Sequence, residues 1–252
     1  MSQWVLKGIR TGIRTTVYPC DVERAAGVTP GLPGGGDFGT VAPAIVARCP
    51  TCALEQTQGV ISVDSRRCVH CYRCVRGIEQ TLNWEPTYEW GGAAPQPING
   101  LGRAFERSIH ILVVDAGDCG ACLNEVKQLN NPYYNMHRLG FFITPTPRHA
   151  DLLLVVGPVT DQMRFALEKI HMAMPTPKRV IAVGACALSG GVFANSFVCA
   201  NGVADVLPVD VMVPGNPPPP LAILHGLLVA VGRKPPERLA RDDNQAGAAG
   251  QQ

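Results

Sequence analysis

Four short apolar runs stand out in the second half of the chain. I-H-I-L-V-V-D at residues 109–115, D-L-L-L-V-V-G at 151–157 and R-V-I-A-V-G at 179–184 are almost unbroken, and a weaker run covers 206–213. Runs of this length predict strands. Their continuous rather than alternating apolarity predicts a parallel sheet covered on both faces. Between the second and third runs, Met163, Ala166, Leu167 and Ile170 fall at helical spacing, which predicts an amphipathic helix over 160–174. A closing helix is expected over 221–231, after a run of prolines. The predicted strands end in loops reading G-D-C-G-A-C, G-P-V-T, G-A-C-A and P-G-N-P. In open α/β sheets ligands bind outside the carboxyl ends of the strands, so the strand-end cysteines are expected to converge on one site.

The first half has a different texture. It is rich in glycine and proline and poor in periodic pattern, with a loop signal in T-P-G-L-P-G-G-G at 29–36. The stretch W-G-G-A-A-P-Q-P-I-N-G-L-G-R at 90–103 reads as a linker. The polar stretch from 241 onward is expected to be disordered. This divides the chain into a first unit over 1–90, a linker over 91–106, a second unit over 107–235 and a tail over 236–252.

A chain of 252 residues has room for one or two domains. Its net charge of +2 is too balanced to make nucleic acid or an anionic membrane surface the expected main partner. No apolar run reaches the ~18 residues of a membrane span. The best candidate, 221–231, is short and contains His225. Residues 1–14 are basic but lack the apolar stretch of a signal peptide, and no twin-arginine signal is present. A cytoplasmic location is therefore expected. In that compartment ten cysteines are not expected to form a disulfide framework, and their tight spacings point to metal sites.

The clearest spacing is C-P-T-C-A-L at 49–54 followed by C-V-H-C-Y-R-C at 68–74. A bacterial two-cluster ferredoxin uses two C-x2-C-x2-C-x3-C-P runs, and the fourth cysteine of each run binds the other run's cluster. Cys49, which precedes Pro50, takes the fourth position of the first run. The first three positions are then Gly39, Ala42 and Ile45, none of which can bind iron. In the second run Cys68, Cys71 and Cys74 take the first three positions, and the fourth is Ile78. One cluster has thus lost all its ligands, and the other keeps Cys49, Cys68, Cys71 and Cys74. The pattern resembles a ferredoxin reduced to a single 4Fe-4S cluster, in a small α+β ferredoxin-like domain. A four-cysteine zinc site has compatible spacing. Cys20 and Cys52 are left over and read as non-ligands.

The second half carries D-C-G-A-C-L-N-E at 118–125, G-A-C-A-L-S-G-G-V-F at 184–193 and P-V-D-V-M-V-P-G-N-P-P-P-P at 208–220. With R-H-A-D-L-L-L-V-V-G-P-V-T at 148–160 and M-P-T-P-K-R-V-I-A-V-G-A-C at 174–186, these resemble one family over about 109–233. It joins the small subunit of energy-converting nickel-iron hydrogenases and formate hydrogenlyase to the 20-kDa subunit of complex I. The resemblance implies a flavodoxin-like α/β domain with one 4Fe-4S cluster, held here by Cys119, Cys122 and Cys186. The C-x-x-C spacing of the first two is similar to the hydrogenase branch; the complex I branch has adjacent cysteines. The family's fourth ligand lies in P-G-C-P-P, where this chain has Asn216. A neutral amide suits a sulfide cluster poorly. The open outcomes are completion by Cys199, by Asn216, by water or by a partner's side chain, a 3Fe cluster, or no cluster. A purely structural role for the three cysteines also remains.

Glu125 is expected to face solvent or a subunit contact. Arg148 and His149 could tune a cluster, hold a partner's loop or cap a turn, and Asp151 is expected to cap or pair. No nucleophile–base constellation and no G-x-x-x-x-G-K loop occurs, so no residue is assigned a catalytic role. The function expected is an iron–sulfur electron-transfer subunit of a membrane-associated, hydrogenase-like or formate hydrogenlyase-like complex. The partners implied are a hydrogenase large subunit, or complex I 49-kDa-like subunit, and through it membrane subunits on the cytoplasmic face of the inner membrane. The alternatives are a complex I-like NADH:quinone oxidoreductase subunit and a scaffold that has lost its second cluster.

Overall fold

A computed structural model describes residues 3–77, 82–93, 105, 107–237 and 239. The chain starts with helix α1 (Gln3–Thr11). A small α+β unit follows: β1 (Leu32–Pro33), β2 (Gly36–Asp37), α2 (Ala42–Val46), β3 (Leu54–Thr57), β4 (Val60–Val63) and β5 (Trp84–Glu85). Strands β2, β4 and β3 form an antiparallel sheet in that order, and β1 pairs with β5. Ile45, Leu54, Ile61 and Leu82 make its core, with Cys49 and Cys74 packed at the edge.

The second unit contains β6 (Gly92–Ala93), β7 (Ile109–Asp115), α3 (Ala121–Gln128), β8 (Phe141–Ile143), β9 (Leu152–Val156), α4 (Asp161–Ala173), β10 (Arg179–Val183), α5 (Ala185–Ser189), β11 (Val211–Val213) and α6 (Pro220–Ala230). Its sheet order is β6-β11-β10-β9-β7-β8. The five strands β7 to β11 are parallel, and β6 is antiparallel. Numbered along the chain, the parallel strands run 2-1-3-4-5, the flavodoxin-like order. The α/β parallel-sheet expectation is met, and the four sequence-predicted strands lie at the sheet's centre.

The sheet is buried on both faces, as its unbroken apolar strands require. Ile111, Leu154, Ile181 and Val213 point to the side covered by α3 and α6. Leu112, Leu153, Val155 and Val180 point to the side covered by α4. Helix α6 is apolar all round because it is enclosed all round, with every residue buried. The first unit supplies its outer cover: Tyr18, Tyr88 and Trp90 join the same core. His225, the polar residue in α6, accepts a hydrogen bond at Nδ1 from the Gly91 N–H at 2.9 Å. Burial lowers its pKa, which keeps it neutral for that role.

Among the elements that the pattern did not announce are β8, α1 and β6. Strand β8 is three residues at the sheet edge. Helix α1 buries none of its residues, so its amphipathic pattern answers to nothing in the fold. Strand β6 lies where a linker was expected. Gly92 and Ala93 carry no strand signal, and they are recruited by main-chain pairing, Ala93 opposite Val211. The remaining linker positions, 94–104 and 106, lie outside the described residues, as does the expected tail beyond 239.

The two units are bound together at several points. Beyond α6 the chain turns back as a strap. Lys234 pairs with Glu89 at 2.9 Å, the Glu237 N–H donates to the Gly91 carbonyl, and Ser65 Oγ donates to the Leu239 carbonyl at 2.7 Å. Ser189 Oγ donates to the Arg66 carbonyl at 3.1 Å. Gly226 lets α6 approach the sheet: a Cβ there would lie 2.3 Å from Val213 Cγ2. Helix propensity alone favours Gly→Ala by about 1 kcal/mol. Overpacking of this kind costs about 1–3 kcal/mol. Gly226→Ala is therefore expected to lower the unfolding free energy, measured by equilibrium denaturation.

Candidate metal centres

The first centre is built by two loops of the small unit. Cys49 closes a turn after α2, where its N–H donates to the Val46 carbonyl. Thr51 Oγ1 donates to the Arg67 carbonyl at 2.7 Å and ties this loop to the next. In the second loop His70 (φ 50°) and Tyr72 (φ 58°) are left-handed, each directly before or after a cysteine. Such alternation turns successive main-chain N–H groups inward and makes an anion-binding concavity. Cys49, Cys68, Cys71 and Cys74 line one cavity, roofed by Tyr72 and Trp84. The two rings stack at 4.3 Å.

Electrostatics and hydrogen bonds favour sulfur anions only in part. Burial, with smaller contributions from the three other cysteines and against the His70 main-chain N–H, pushes the Cys68 thiol up to about 12. Burial also raises Cys74, while Trp84 acts the other way. Trp84 Nε1 is buried and without a partner of hydrogen-bond geometry, yet it lies close enough to favour the Cys74 thiolate. The Ala53 N–H donates to Cys49 Sγ at 3.2 Å. Four thiolates in this pocket need a compensating positive charge, which a metal centre supplies. Among the described residues no three His, Cys, Asp or Glu side chains form a group able to hold a single metal ion. The four sulfurs surround a cavity instead of meeting at a point.

The second centre lies at the carboxyl ends of the parallel strands. The loop after β7 carries Cys119, exposed, and Cys122, buried at the start of α3. Asp118 Oδ2 accepts from the N–H groups of Gly120 and Leu123 and so caps α3. The loop after β10 carries Cys186, buried in α5. Two glycines make room for these sulfurs. A Cβ on Gly184 would lie 2.5 Å from Cys122 Sγ, and one on Gly191 would lie 2.9 Å from Cys186 Sγ. Burial raises the pKa of Cys122 and of Cys186, with Asp118 and the neighbouring thiols adding to it. Cys119, Cys122 and Cys186 are thus one electrostatic group. Cys199 is near enough to act on Cys186, and its Sγ lies 3.7 Å from the Phe193 carbonyl.

Asn216 is turned toward the first centre. Its Nδ2 donates to the Val69 carbonyl at 3.2 Å, and its main-chain N–H donates to His70 Nδ1 at 3.4 Å. Burial lowers the His70 pKa to about 4, which leaves the ring neutral and able to accept. The residue in the family's fourth-ligand position therefore fastens the loop of one centre to the strand end of the other. Nothing in the sequence signals this link, because its members are 146 and 147 positions apart.

The remaining candidates are peripheral. Glu125 is half-buried, and burial raises its carboxyl pKa. Arg148 and His149 are exposed on a single turn. Asp151 accepts from the His110 N–H at 2.8 Å, a pairing role. Cys20 and Cys52 are exposed and outside both groups.

Fold and site together define an α/β protein of flavodoxin-like strand order with three thiols at the ends of its strands. The family model for the 20-kDa subunit of NADH ubiquinone oxidoreductase matches residues 119–230. An uncharacterized protein of Methanocaldococcus jannaschii is 46% identical over 123 residues, 49% of this chain and 82% of the relative. A probable membrane-bound hydrogenase subunit of Pyrococcus furiosus is 41% identical over 139 residues, 52% of this chain and 83% of the relative. Formate hydrogenlyase subunit 7 of Escherichia coli K12 is 38% identical over 130 residues, 52% of this chain and 51% of the relative. The chain belongs to the family of the 20-kDa subunit of NADH ubiquinone oxidoreductase, through its second unit.

Replacing Asn216 by Ala removes the Nδ2 bond to Val69. A bond of this kind is worth about 1 kcal/mol. Asn216→Ala should lose about that much stability and raise amide hydrogen exchange within residues 68–74, with exchange in α4 unchanged.

Proposed function

We propose that this chain is an iron–sulfur electron-transfer subunit of a membrane-associated oxidoreductase complex of the hydrogenase or formate hydrogenlyase kind. The observation that carries the reading is the gathering of Cys49, Cys68, Cys71 and Cys74 around one cavity. Four cysteines that share a cavity, without forming a single-ion group among the described residues, support a 4Fe-4S cluster over a zinc ion. Bound there, such a cluster supplies one-electron transfer. The chain's own residues would hold it, cover part of it with Tyr72 and Trp84 while Cys71 stays exposed, and donate N–H groups to sulfur, which tunes its potential.

Cys119, Cys122 and Cys186 are assigned to a second cluster. Asn216 Nδ2 donates to the Val69 carbonyl, and its remaining Oδ1 is a hard neutral oxygen that suits a sulfide cluster poorly. A partner's side chain, a solvent molecule or Cys199 is left to complete the site. Val69, His70 and Asn216 form a hydrogen-bonded link between the two thiol groups and suit passage of electrons from one to the other. Exposed Phe193, Phe197 and Val198 lie beside Cys199 and offer a face for a large catalytic subunit, through which the chain would be held at the cytoplasmic side of the inner membrane. The family match also favours a second reading, a complex I-like subunit serving a quinone reductase.

Iron and acid-labile sulfide in anaerobically purified protein test the proposal. About eight irons per chain are expected for two 4Fe-4S clusters and about four for one; absence of sulfide rejects it. Cys71→Ser should abolish the signal of the first cluster in electron paramagnetic resonance and leave any second signal. Persistence of both signals would contradict the ligand assignment. Asn216→Cys restores a thiolate at the strand end and should raise iron occupancy of the second site.

A further inference from the structure

Helix α1 has no partner within the fold. None of its residues is buried, and Trp4, Ile9 and the following Ile13 are 76%, 70% and 92% exposed. At about 100° per residue, Val5, Ile9 and Leu6 fall on one side of the helix, Arg10 borders it beside Leu6, and Lys7 and Trp4 fall on the other side. Residues 1–20 contain Lys7, Arg10 and Arg14 and no acidic residue. The chain as a whole is balanced at +2, so this positive charge is local. The base of the segment is fixed: the Thr16 N–H donates to the Tyr133 carbonyl at 2.8 Å, and the Arg138 guanidinium donates to the Tyr18 carbonyl. The helix is thus tethered to the fold through residues 16–18 while both of its faces meet solvent.

We propose that α1 is an interfacial helix that lies in the headgroup region of a bilayer bearing anionic lipids. An isolated helix of nine residues is marginal in water, so its apolar side needs a cover. A bare apolar face could pack into a groove on a protein. The surrounding charge decides between the two: Lys7, Arg10 and Arg14, with no acidic residue within 1–20, complement phosphate headgroups. A helix of this length rises about 14 Å, against a hydrocarbon core of about 30 Å, so it lies on the membrane and does not cross it. The proposal concerns direct lipid contact and does not depend on the iron–sulfur assignment.

The test is sedimentation of the full chain with vesicles of phosphatidylcholine alone or of phosphatidylcholine mixed with phosphatidylglycerol. Binding to the mixed vesicles is expected to exceed binding to the neutral ones by about tenfold at low salt and to fall steeply at high salt. Ile9→Glu and the pair Lys7→Gln with Arg10→Gln should each cut binding by about tenfold. Since α1 buries nothing, these variants should melt like the parent. Equal binding to both vesicle types, or binding unchanged in both variants, overturns the proposal. So does failure to sediment with either vesicle, which would leave a groove on a partner protein as the cover.

Discussion

Five parallel strands with apolar side chains on both faces leave only their ends free for chemistry, and the rest of the molecule is arranged around that limit. Ile111, Leu154 and Ile181 face one helical layer, and Leu153 and Val180 face the other. The functional groups are accordingly placed where the main chain leaves the sheet. The loops after β7, β10 and β11 carry Cys119 with Cys122, Cys186, and Asn216. Glycines at 184 and 191 are the cost of bringing sulfur so close to backbone, since a Cβ at either position would meet a thiol.

The same burial explains why the two units are not independent. Helix α6 is apolar on every side and cannot be left half covered. The sheet covers one side. Tyr88, Trp90 and the Gly91 N–H, together with Tyr18, close the other. The returning strap and the Ser189–Arg66 bond reinforce this contact. Docking the small unit this way brings the Cys68–Cys74 loop against the strand ends, where Asn216 meets Val69 and His70. The amide at that position joins the two groups of cysteines through its bonds to Val69 and His70.

Both groups of cysteines are electrostatically unfinished as bare thiols. Burial drives Cys68, Cys74, Cys122 and Cys186 away from the thiolate form. Desolvated sulfur anions become favourable only where a positive centre shares the pocket, so the proposed clusters would couple metal binding to thiol ionisation. The main-chain N–H groups around His70 and Tyr72 and the Trp84 indole are already directed at that outcome. The family relationship covers the second centre; the first rests on its own geometry.

The unbroken apolar runs of β7, β9 and β10 made the parallel sheet legible from sequence alone, because burial on both faces leaves no other pattern. The C-x-x-C spacing of Cys68, Cys71 and Cys74 marked a candidate metal site in the sequence, since one turn of chain sets the distance between neighbouring sulfurs, and the fold brings Cys49 to the same cavity. Tertiary structure alone decided the rest. Strand β6 exists because β11 offers free main-chain groups to Gly92 and Ala93, not because those residues favour it. The amide of Asn216 reads in sequence only as a missing ligand, and it acquires a partner when folding brings it to Val69. Local pattern records which surfaces must be buried; which distant atoms then meet depends on how the buried surfaces are stacked.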